Sequence, residues 1–371
     1  GVYLGRSSAT IFDFYDISRV EVLRGPQGTL YGKNVIGGVV NIISNQANEI
    51  TDNKLQLTLG EDNHYQIRGL TSASLNDAGT LFGKLALLKT EQDGYIKSIH
   101  DFKLNGKNDT GARGQLYFEH GENFNFSLNF DWLEQRQSGA GRHPNSGELG
   151  NKVLPAINAE WAADIFTSFA DVKGFQDKTL SGFHLTANWR TNWGEWKLIS
   201  AKREDKYAFL NDEFALSPKE YFLDILNGGE ETADQTSHEL QLSYHQNPAW
   251  NWVFGAYYLK SKIERFEYFA ANIIPTGSSD QHNETTSNAV FTHLIYSIND
   301  RFKLTVGARN TWEKKVINQT GKSGFVISEN YDVQDQNKWQ QFSPKASLGY
   351  QPNDRTLAYM SYSKGFKSGG Y

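Results

Sequence analysis

Apolar and polar residues alternate along most of the chain beyond residue 53. The clearest example is segment 123–132, NFNFSLNFDW. Its apolar side chains occupy every second position, at Phe124, Phe126, Leu128, Phe130 and Trp132. Strict alternation indicates a β-strand with one apolar face, and about ten tilted residues cross a bilayer. The segment therefore predicts a strand with lipid on one side and a polar interior on the other.

Similar segments recur, and the joints between them are alternately short and long. Short joints such as 121–122 and 193–194 are flanked by aromatic residues, whereas 135–178 and 209–234 are long. A membrane-spanning β-barrel has short turns at one rim, long loops at the other and aromatic residues at the lipid interfaces. We therefore predict an all-β, antiparallel transmembrane barrel. The predicted strands are residues 54–60, 65–74, 80–91, 109–120, 123–134, 179–192, 195–208, 235–245, 250–268, 285–298, 301–316, 339–350 and 356–366.

Composition excludes several classes of protein. The chain has no cysteine, so it has no disulfide framework, no thiol nucleophile and no Cys-ligated metal. The net charge of −5 gives no nucleic-acid footprint. Hydrophobic residues make up 38% of the chain and aromatic residues 13%, a combination that suits a barrel with a polar lumen but also a soluble β-sandwich.

Residues 20–44 follow a different pattern, with a strand at 20–23, Gly and Pro at the turns, and a second strand at 39–43. Three short motifs stand here in order: E-V-L-R-G-P, L-Y-G and I-G-G-x-x-N-I-I. This segment resembles the plug domain of TonB-dependent outer-membrane receptors. The motif residues are Glu21, Arg24, Gly25, Pro26, Gly28, Tyr31, Gly32, Gly37, Gly38 and Asn41.

The resemblance implies a domain organisation. Residues 1–48 would form the C-terminal half of a plug, 49–53 a linker, and 54–371 the N-terminal part of the barrel. Receptors of this family have a plugged barrel of about 22 strands. We therefore expect the first half of the plug, the TonB box and the remaining barrel strands to lie outside this sequence.

The resemblance also implies active uptake of a scarce ligand, driven by the TonB complex of the inner membrane. Ferric siderophores are the largest ligand class of the family, and cobalamin, haem, nickel chelates and oligosaccharides are alternatives. Expected partners are TonB, outer-membrane lipid and an extracellular small molecule, with no nucleic acid and no bound cofactor. A passive porin or a soluble β-rich adhesin remains open as a different class. No arrangement of residues indicates an enzyme or a resident metal: the Gly32-Lys33 pair lacks the other residues of a phosphate loop.

Candidate ligand contacts come from two regions. By resemblance, the plug apex would include Tyr3, Arg6, Ser7, Ser8, Phe12 and Tyr15. In the long loops, Arg142 and His143 could meet an anionic or metal-chelating ligand, and Trp161 could stack on a catecholate or a sugar. A solvated surface loop is the alternative for both regions.

Three further expectations concern local structure. The resemblance implies that Arg24 joins a charge cluster with barrel carboxylates, some of them in strands expected outside this sequence, and Glu21 could contribute locally. An exposed Arg at a turn is the alternative. Residues 218–227 begin with a capping-box pattern and predict a short helix. Apolar residues at helical spacing predict a second loop helix within 155–172.

Overall fold

The computed structural model describes residues 2–5, 16–142, 164–213, 225–244, 246–271, 274–324 and 329–370. Near the N-terminus, strand β1 (Ile17–Arg24) pairs antiparallel with β2 (Gly38–Ser44). Between them the chain forms a single helical turn, α1 (Gly28–Tyr31), where the sequence predicted turns alone. None of the helices in these ranges has the length and apolar character needed to span a membrane.

The rest of the fold is one sheet of thirteen strands, in which each strand pairs antiparallel with its neighbours along the chain. A separate three-stranded sheet, β6, β7 and β10, lies in the loops. The strands are β3 (Asp52–Leu59), β4 (Tyr65–Ser74), β5 (Leu81–Gln92), β6 (Ile96–Ser98), β7 (Lys103–Leu104), β8 (Lys107–His120), β9 (Phe124–Ser138), β10 (Thr167–Ser168), β11 (Phe175–Thr191), β12 (Gly194–Asp212), β13 (Ile225–Tyr244), β14 (Trp250–Ala271), β15 (Ile274–Ser297), β16 (Phe302–Lys322), β17 (Tyr331–Asn353) and β18 (Thr356–Ser363).

All thirteen predicted strands are present, but several continue well into segments predicted as loops. Strand β15 begins at Ile274 instead of 285, and β13 begins at Ile225 instead of 235. Residues 276–284 of β15, for example, are polar on both faces, so hydrophobic alternation carries no signal there. Ladder hydrogen bonds to the neighbouring strands extend the sheet beyond the apolar band.

Neither predicted loop helix is confirmed. Residues 225–227 of the first are the start of β13, so that part of the prediction is wrong, and 218–224 lie outside the described residues. Within the second, the described residues 164–172 contain the short strand β10 and no helix. In both places backbone pairing with a neighbouring strand outweighs local helix propensity.

The N-terminal segment, residues 2–47 as described, lies against one face of the large sheet, and we call it the plug. The Asp16 carboxylate forms a 2.5 Å ion pair with Lys84 on β5, and the Ala47 N–H donates to the Gln115 side chain on β8 at 2.6 Å. On β16, far along the sheet order, Glu313 accepts from Lys33 at 2.6 Å. Because one small domain touches distant strands on the same face, the sheet must curve around it.

These contacts identify the inner face of the sheet, which we call the lumen. Because side chains alternate between the two faces along each strand, every other strand residue can then be assigned to the inner or the outer face. Leu128 and Phe130 on β9 are 43% and 50% exposed on the outer face. The Asn129 carboxamide between them accepts from Gln115, the residue that holds the plug. The predicted division of this strand into an apolar outer and a polar inner face is confirmed.

Helical turn α1 rests on the inner faces of β15, β16 and β17. Gly32 ends the turn with a φ of +83°, a conformation that glycine adopts without steric cost. A Cβ on Gly32 would lie 3.0 Å from the guanidinium of Arg309. That guanidinium packs between the rings of Tyr257 and Phe291, at 5.4 and 5.2 Å from their centroids. Gly32 therefore fits the plug closely against a rigid cation–aromatic stack.

Lys33 is a charge of the plug that is buried against the large sheet, and the expectation that Arg24 joins a charge cluster is not confirmed among the described residues. Arg24 is exposed at the end of β1, and Glu21 bonds Arg19 and Asn41 instead. Lys33 and Glu313 retain only 12% and 3% of their side-chain exposure, and Glu313 also accepts from the Ser368 hydroxyl. The resemblance placed a buried charge at Arg24, in the turn after β1. In the structure a buried charge is at Lys33, after the helical turn α1.

We expect Glu313→Gln in the intact protein to loosen the plug. The variant leaves the Lys33 ammonium buried without a carboxylate, which typically costs about 3–5 kcal/mol. Hydrogen exchange of the plug amides at 28–35 should accelerate roughly 100-fold to 1,000-fold. Glu204→Gln is the matched control, because its 2.8 Å pair with Lys206 is exposed on the outer face. Equal exchange rates in both variants would show that the pair does not hold the plug.

Candidate functional site

A continuous row of polar side chains crosses the inner face of the sheet, one residue from each of ten neighbouring strands. Successive members are direct partners in the antiparallel register, so they lie side by side although they are distant in sequence. We call it the lumen row. Its members are Gln66, Thr90, Asp109, Gln135, Lys178, Tyr207, Glu231, Arg265, Gln281 and Gln319.

The lumen row lies on the long-loop side of the plug. On β16 the plug contacts Glu313, and the row residue Gln319 is six positions nearer the long loop. On β13 the carboxamide of Gln235 donates to the Tyr3 carbonyl of the plug at 2.7 Å, and Glu231 is four positions beyond it. A molecule that enters from the long loops therefore meets the row before it reaches the plug contacts at Tyr3 and Lys33.

One half of the row is closed. Thr90 and Asp109 are fully buried, and Gln66 and Gln135 are nearly so. The Gln66 carboxamide donates to the Thr90 hydroxyl at 2.9 Å, and that of Gln135 donates to the Asp109 carboxylate at 3.0 Å. These hydrogen bonds pair the four side chains two by two, although Asp109 Oδ1 and Gln135 Oε1 are buried without a partner of their own. This half of the row therefore belongs to the wall.

The other half is accessible except for Glu231, which is buried between Tyr207 and Arg265. We call its accessible residues the open arc: Lys178, Tyr207, Arg265, Gln281 and Gln319, with Tyr331 of β17 beside them. All six side chains are half-buried. The Lys178 ammonium lies 5.6 Å from the centroid of the Tyr207 ring. The phenol ring in turn stacks on Phe209 at 5.3 Å with an interplanar angle of 17°. This end of the arc presents a cation fixed over an aromatic platform.

The opposite end of the arc is a hydrogen-bonded cluster. The Gln319 carboxamide donates to the Tyr331 hydroxyl at 2.8 Å and to the Ser279 hydroxyl at 3.2 Å. The Gln281 carboxamide reaches the same Ser279 oxygen at 3.4 Å. Each group is held by its neighbours, so the cluster presents preorganised amide and phenol groups to the lumen.

Charge along the arc is mixed. The Arg265 guanidinium donates to the Glu267 carboxylate at 2.8 Å, and both side chains keep partial exposure. Glu267 also accepts from Asn227 at 3.2 Å. Arg265 has five N–H donors, so donors remain for an incoming acceptor beside this pair. The arc can thus bind a ligand that combines anionic or acceptor oxygens with a planar ring.

Of the predicted ligand contacts, the structure describes only Tyr3 and Arg142. Tyr3 is in the lumen: its hydroxyl accepts from Asn34 at 2.9 Å and its carbonyl from Gln235. Arg142 pairs with the Glu213 side chain and donates to the Glu213 carbonyl at 2.6 Å, so its charge is already matched. The remaining predicted contacts lie outside the described residues: Arg6, Ser7, Ser8, Phe12, Tyr15, His143 and Trp161.

The plug motif residues form one compact unit around β1 and β2. Glu21 and Asn41 are cross-strand partners, and the Asn41 carboxamide donates to the Glu21 carboxylate at 3.1 Å. Hydrogen bonds from Arg19, first, and from Asn41 hold the pKa of the Glu21 carboxyl below its ordinary value. The Gly25 N–H donates to the Gly37 carbonyl at 3.1 Å and closes the loop that carries Pro26, Gly28, Tyr31 and Gly32.

Sequence reasoning missed the open arc because its residues lie in segments assigned to strand ends or loops. The signal that could have found them is position along the full length of each strand. Residues an even number of positions from a plug contact lie on the same face as that contact, as Gln319 does with Glu313. Within the described ranges no group of three His, Asp or Glu side chains is arranged to hold a metal ion.

Comparison with known proteins agrees with this architecture. Residues 44–371 match the family model described as "TonB dependent receptor-like, beta-barrel", and residues 1–39 match that of the "TonB-dependent Receptor Plug Domain". The chain is 23% identical over 383 residues to the pesticin receptor of Yersinia pestis, covering 98% of this chain and 51% of that protein. It is 22% identical to the ferric-pyoverdine receptor of Pseudomonas sp. strain M114, covering 95% and 44%.

The fold is similar to that of the ferric yersiniabactin uptake receptor of Yersinia pestis, with a TM-score of 0.81 and 20% identity over 95% of this chain and 52% of that one. The chain spans about half the length of the curated relatives it matches. Proteins of this type are β-barrels of the Gram-negative outer membrane, and the chain is an outer-membrane protein. With a plug model and a barrel model matched in sequence order, the chain belongs to the TonB-dependent receptor family.

Proposed function

We propose that the receptor containing this chain binds a ferric siderophore from outside the cell and imports it by TonB-dependent displacement of the plug. The observation that carries the proposal is that the open arc and the plug lie one above the other in the same lumen. A plug held by the buried Lys33–Glu313 pair lies beneath the open arc, which faces the long loops. Such an arrangement binds first and transports only when the plug moves.

The chemistry of the arc favours an iron chelate. Siderophores surround ferric iron with anionic oxygens and often with planar rings, which matches a cation on an aromatic platform and a set of fixed amide and hydroxyl groups. The Lys178–Tyr207 pair and the Gln319–Tyr331 cluster supply these groups at opposite ends of the arc. Relatives named for ferric pyoverdine and ferric yersiniabactin support this ligand class.

The plug argues against a passive porin, because a lumen occupied by a domain with buried ion pairs conducts poorly until that domain moves. Buried contacts of the described plug residues include two ion pairs, Lys33–Glu313 and Asp16–Lys84, and polar contacts suit a domain that must be released by force. We infer that the energy comes from the TonB complex and that the protein is a transport receptor with no catalytic role.

Uptake under iron limitation tests the transport proposal. Deletion of the gene should abolish uptake of one labelled ferric siderophore, and the intact gene should restore it. Unchanged uptake of every ferric chelate tested would refute the proposed ligand class and direct the search to cobalamin and oligosaccharides.

A cross-link tests the requirement for plug movement. The described chain has no cysteine, so Lys33→Cys with Glu313→Cys allows a short bis-maleimide to join plug and barrel in a cysteine-free receptor. Cross-linked cells should bind the ferric siderophore normally but import none of it. Each single-cysteine variant, treated with the same reagent, is the control and should transport. Import by the cross-linked receptor would exclude plug displacement as the route.

Substitution within the open arc tests the binding site itself. Lys178→Met and Arg265→Met should each weaken binding of the ferric siderophore about tenfold to 100-fold, since a hydrogen bond to a charged group contributes roughly 1.5–3 kcal/mol. Lys206→Met is the matched control, because this lysine lies on the outer face of β12 beside Glu204. Titration of purified receptor by fluorescence quenching measures the Kd. Equal affinities for all three variants would remove the open arc from the binding site.

A further inference from the structure

A second register row crosses the outer face of six consecutive strands, from β12 to β17. Each member is the direct cross-strand partner of the next, and lysines alternate with threonines until two lysines meet at the end. Asp and Glu are absent from this row. Its members are Lys202, Thr236, Lys260, Thr286, Lys314 and Lys338.

The lysines mark the long-loop edge of the apolar outer band. On β16 the outward residues from Phe302 to Trp312 include only one strongly polar side chain, Asn310, and the next outward residue is Lys314. About ten strand residues cross the bilayer, so Lys314 lies at the outer membrane–water interface. A long lysine side chain at this level extends its ammonium into the headgroup layer.

Lys314 and Lys338 are directly opposite each other, which places two ammonium groups side by side. Facing residues in a ladder have Cβ atoms about 5 Å apart, and like charges there are destabilising. Both side chains are exposed, and among the described residues neither has a carboxylate within ion-pair distance. Lys260 in the same row differs, because Glu284 pairs with it at 3.0 Å.

The surroundings of this lysine pair combine a polar interface with an apolar wall. Trp312 is 43% exposed immediately on the membrane side of Lys314. Across from it, the Gln340 carboxamide donates to Asn310 at 3.3 Å. Further toward the membrane centre, Phe342 and Val306 are 55% and 42% exposed on the same face. Two cations therefore stand above a surface suited to acyl chains.

We propose that Lys314 and Lys338 bind a phosphate of a phosphorylated glycolipid in the outer leaflet. One phosphate between the two ammonium groups removes their repulsion and forms charge-assisted hydrogen bonds with both. The apolar wall beneath the pair selects a lipid phosphate over a free one, because the acyl chains remain in the bilayer beside Phe342. This site is on the face opposite the lumen and does not depend on the transport proposal.

Native mass spectrometry of the full-length receptor tests the site. The probes are bisphosphorylated lipid A, the same lipid A enzymatically dephosphorylated, and inorganic phosphate. The receptor should retain the bisphosphorylated form, and Lys314→Gln and Lys338→Gln should each lower its occupancy about fivefold, the effect of one basic residue at an anionic membrane surface. Lys206→Gln, which removes an outer-face lysine already paired with Glu204, is the control and should leave occupancy unchanged.

A charge reversal separates binding from folding. Lys338→Glu converts the repulsive pair into a cross-strand Lys–Glu pair, so heat-modifiable mobility should be retained or shift to a higher temperature while lipid retention is lost. Equal retention of phosphorylated and dephosphorylated lipid A, an equal loss in the Lys206→Gln control, or displacement of the lipid by millimolar inorganic phosphate would each overturn the proposal.

Discussion

The structure depends on one constraint: in an antiparallel sheet with unbroken register, successive side chains point to opposite faces and facing residues lie side by side. Once the plug contacts at Lys84, Gln115 and Glu313 identify the inner face, each position on these strands is assigned. The lumen row and the outer lysine row both follow from this geometry. Each row brings together residues that are too far apart in the sequence to appear in any one short segment.

The described part of the plug meets the barrel through a series of polar contacts. Lys33 with Glu313 and Asp16 with Lys84 are buried ion pairs, and backbone groups of the plug bond barrel side chains such as Gln115 and Gln235. Buried ion pairs contribute little net stability relative to apolar packing, but they require accurate geometry. An interface of this kind fixes one seating of the plug and still permits its release.

Sequence patterns predicted the architecture but not the residues of the candidate site. The strand at 123–132 was predictable because its aromatic residues face lipid, and β9 has the same apolar face in the structure. The long-loop ends of β13 and β15 were not predictable, because polar residues on both faces of the strand leave no alternation of apolar and polar positions. Tyr207, Arg265 and Gln319 lie in or beside those parts, and their common position became visible only through cross-strand register. Arg24 shows the limit of resemblance: the motif is intact, yet among the described residues Arg24 is exposed and Lys33 forms a buried pair with the barrel.

The sequence alone determined the class of fold, the approximate strand set, the sidedness of the loops and the presence of a plug. Those properties are encoded by hydrophobic period, turn residues and short motifs, all of which are local. Only the tertiary structure decided which residues share the lumen, which charge holds the plug, and that Lys314 faces Lys338. The reason is physical: these relations depend on register between strands and on curvature around the plug, and a shift of one residue would move every side chain to the opposite face.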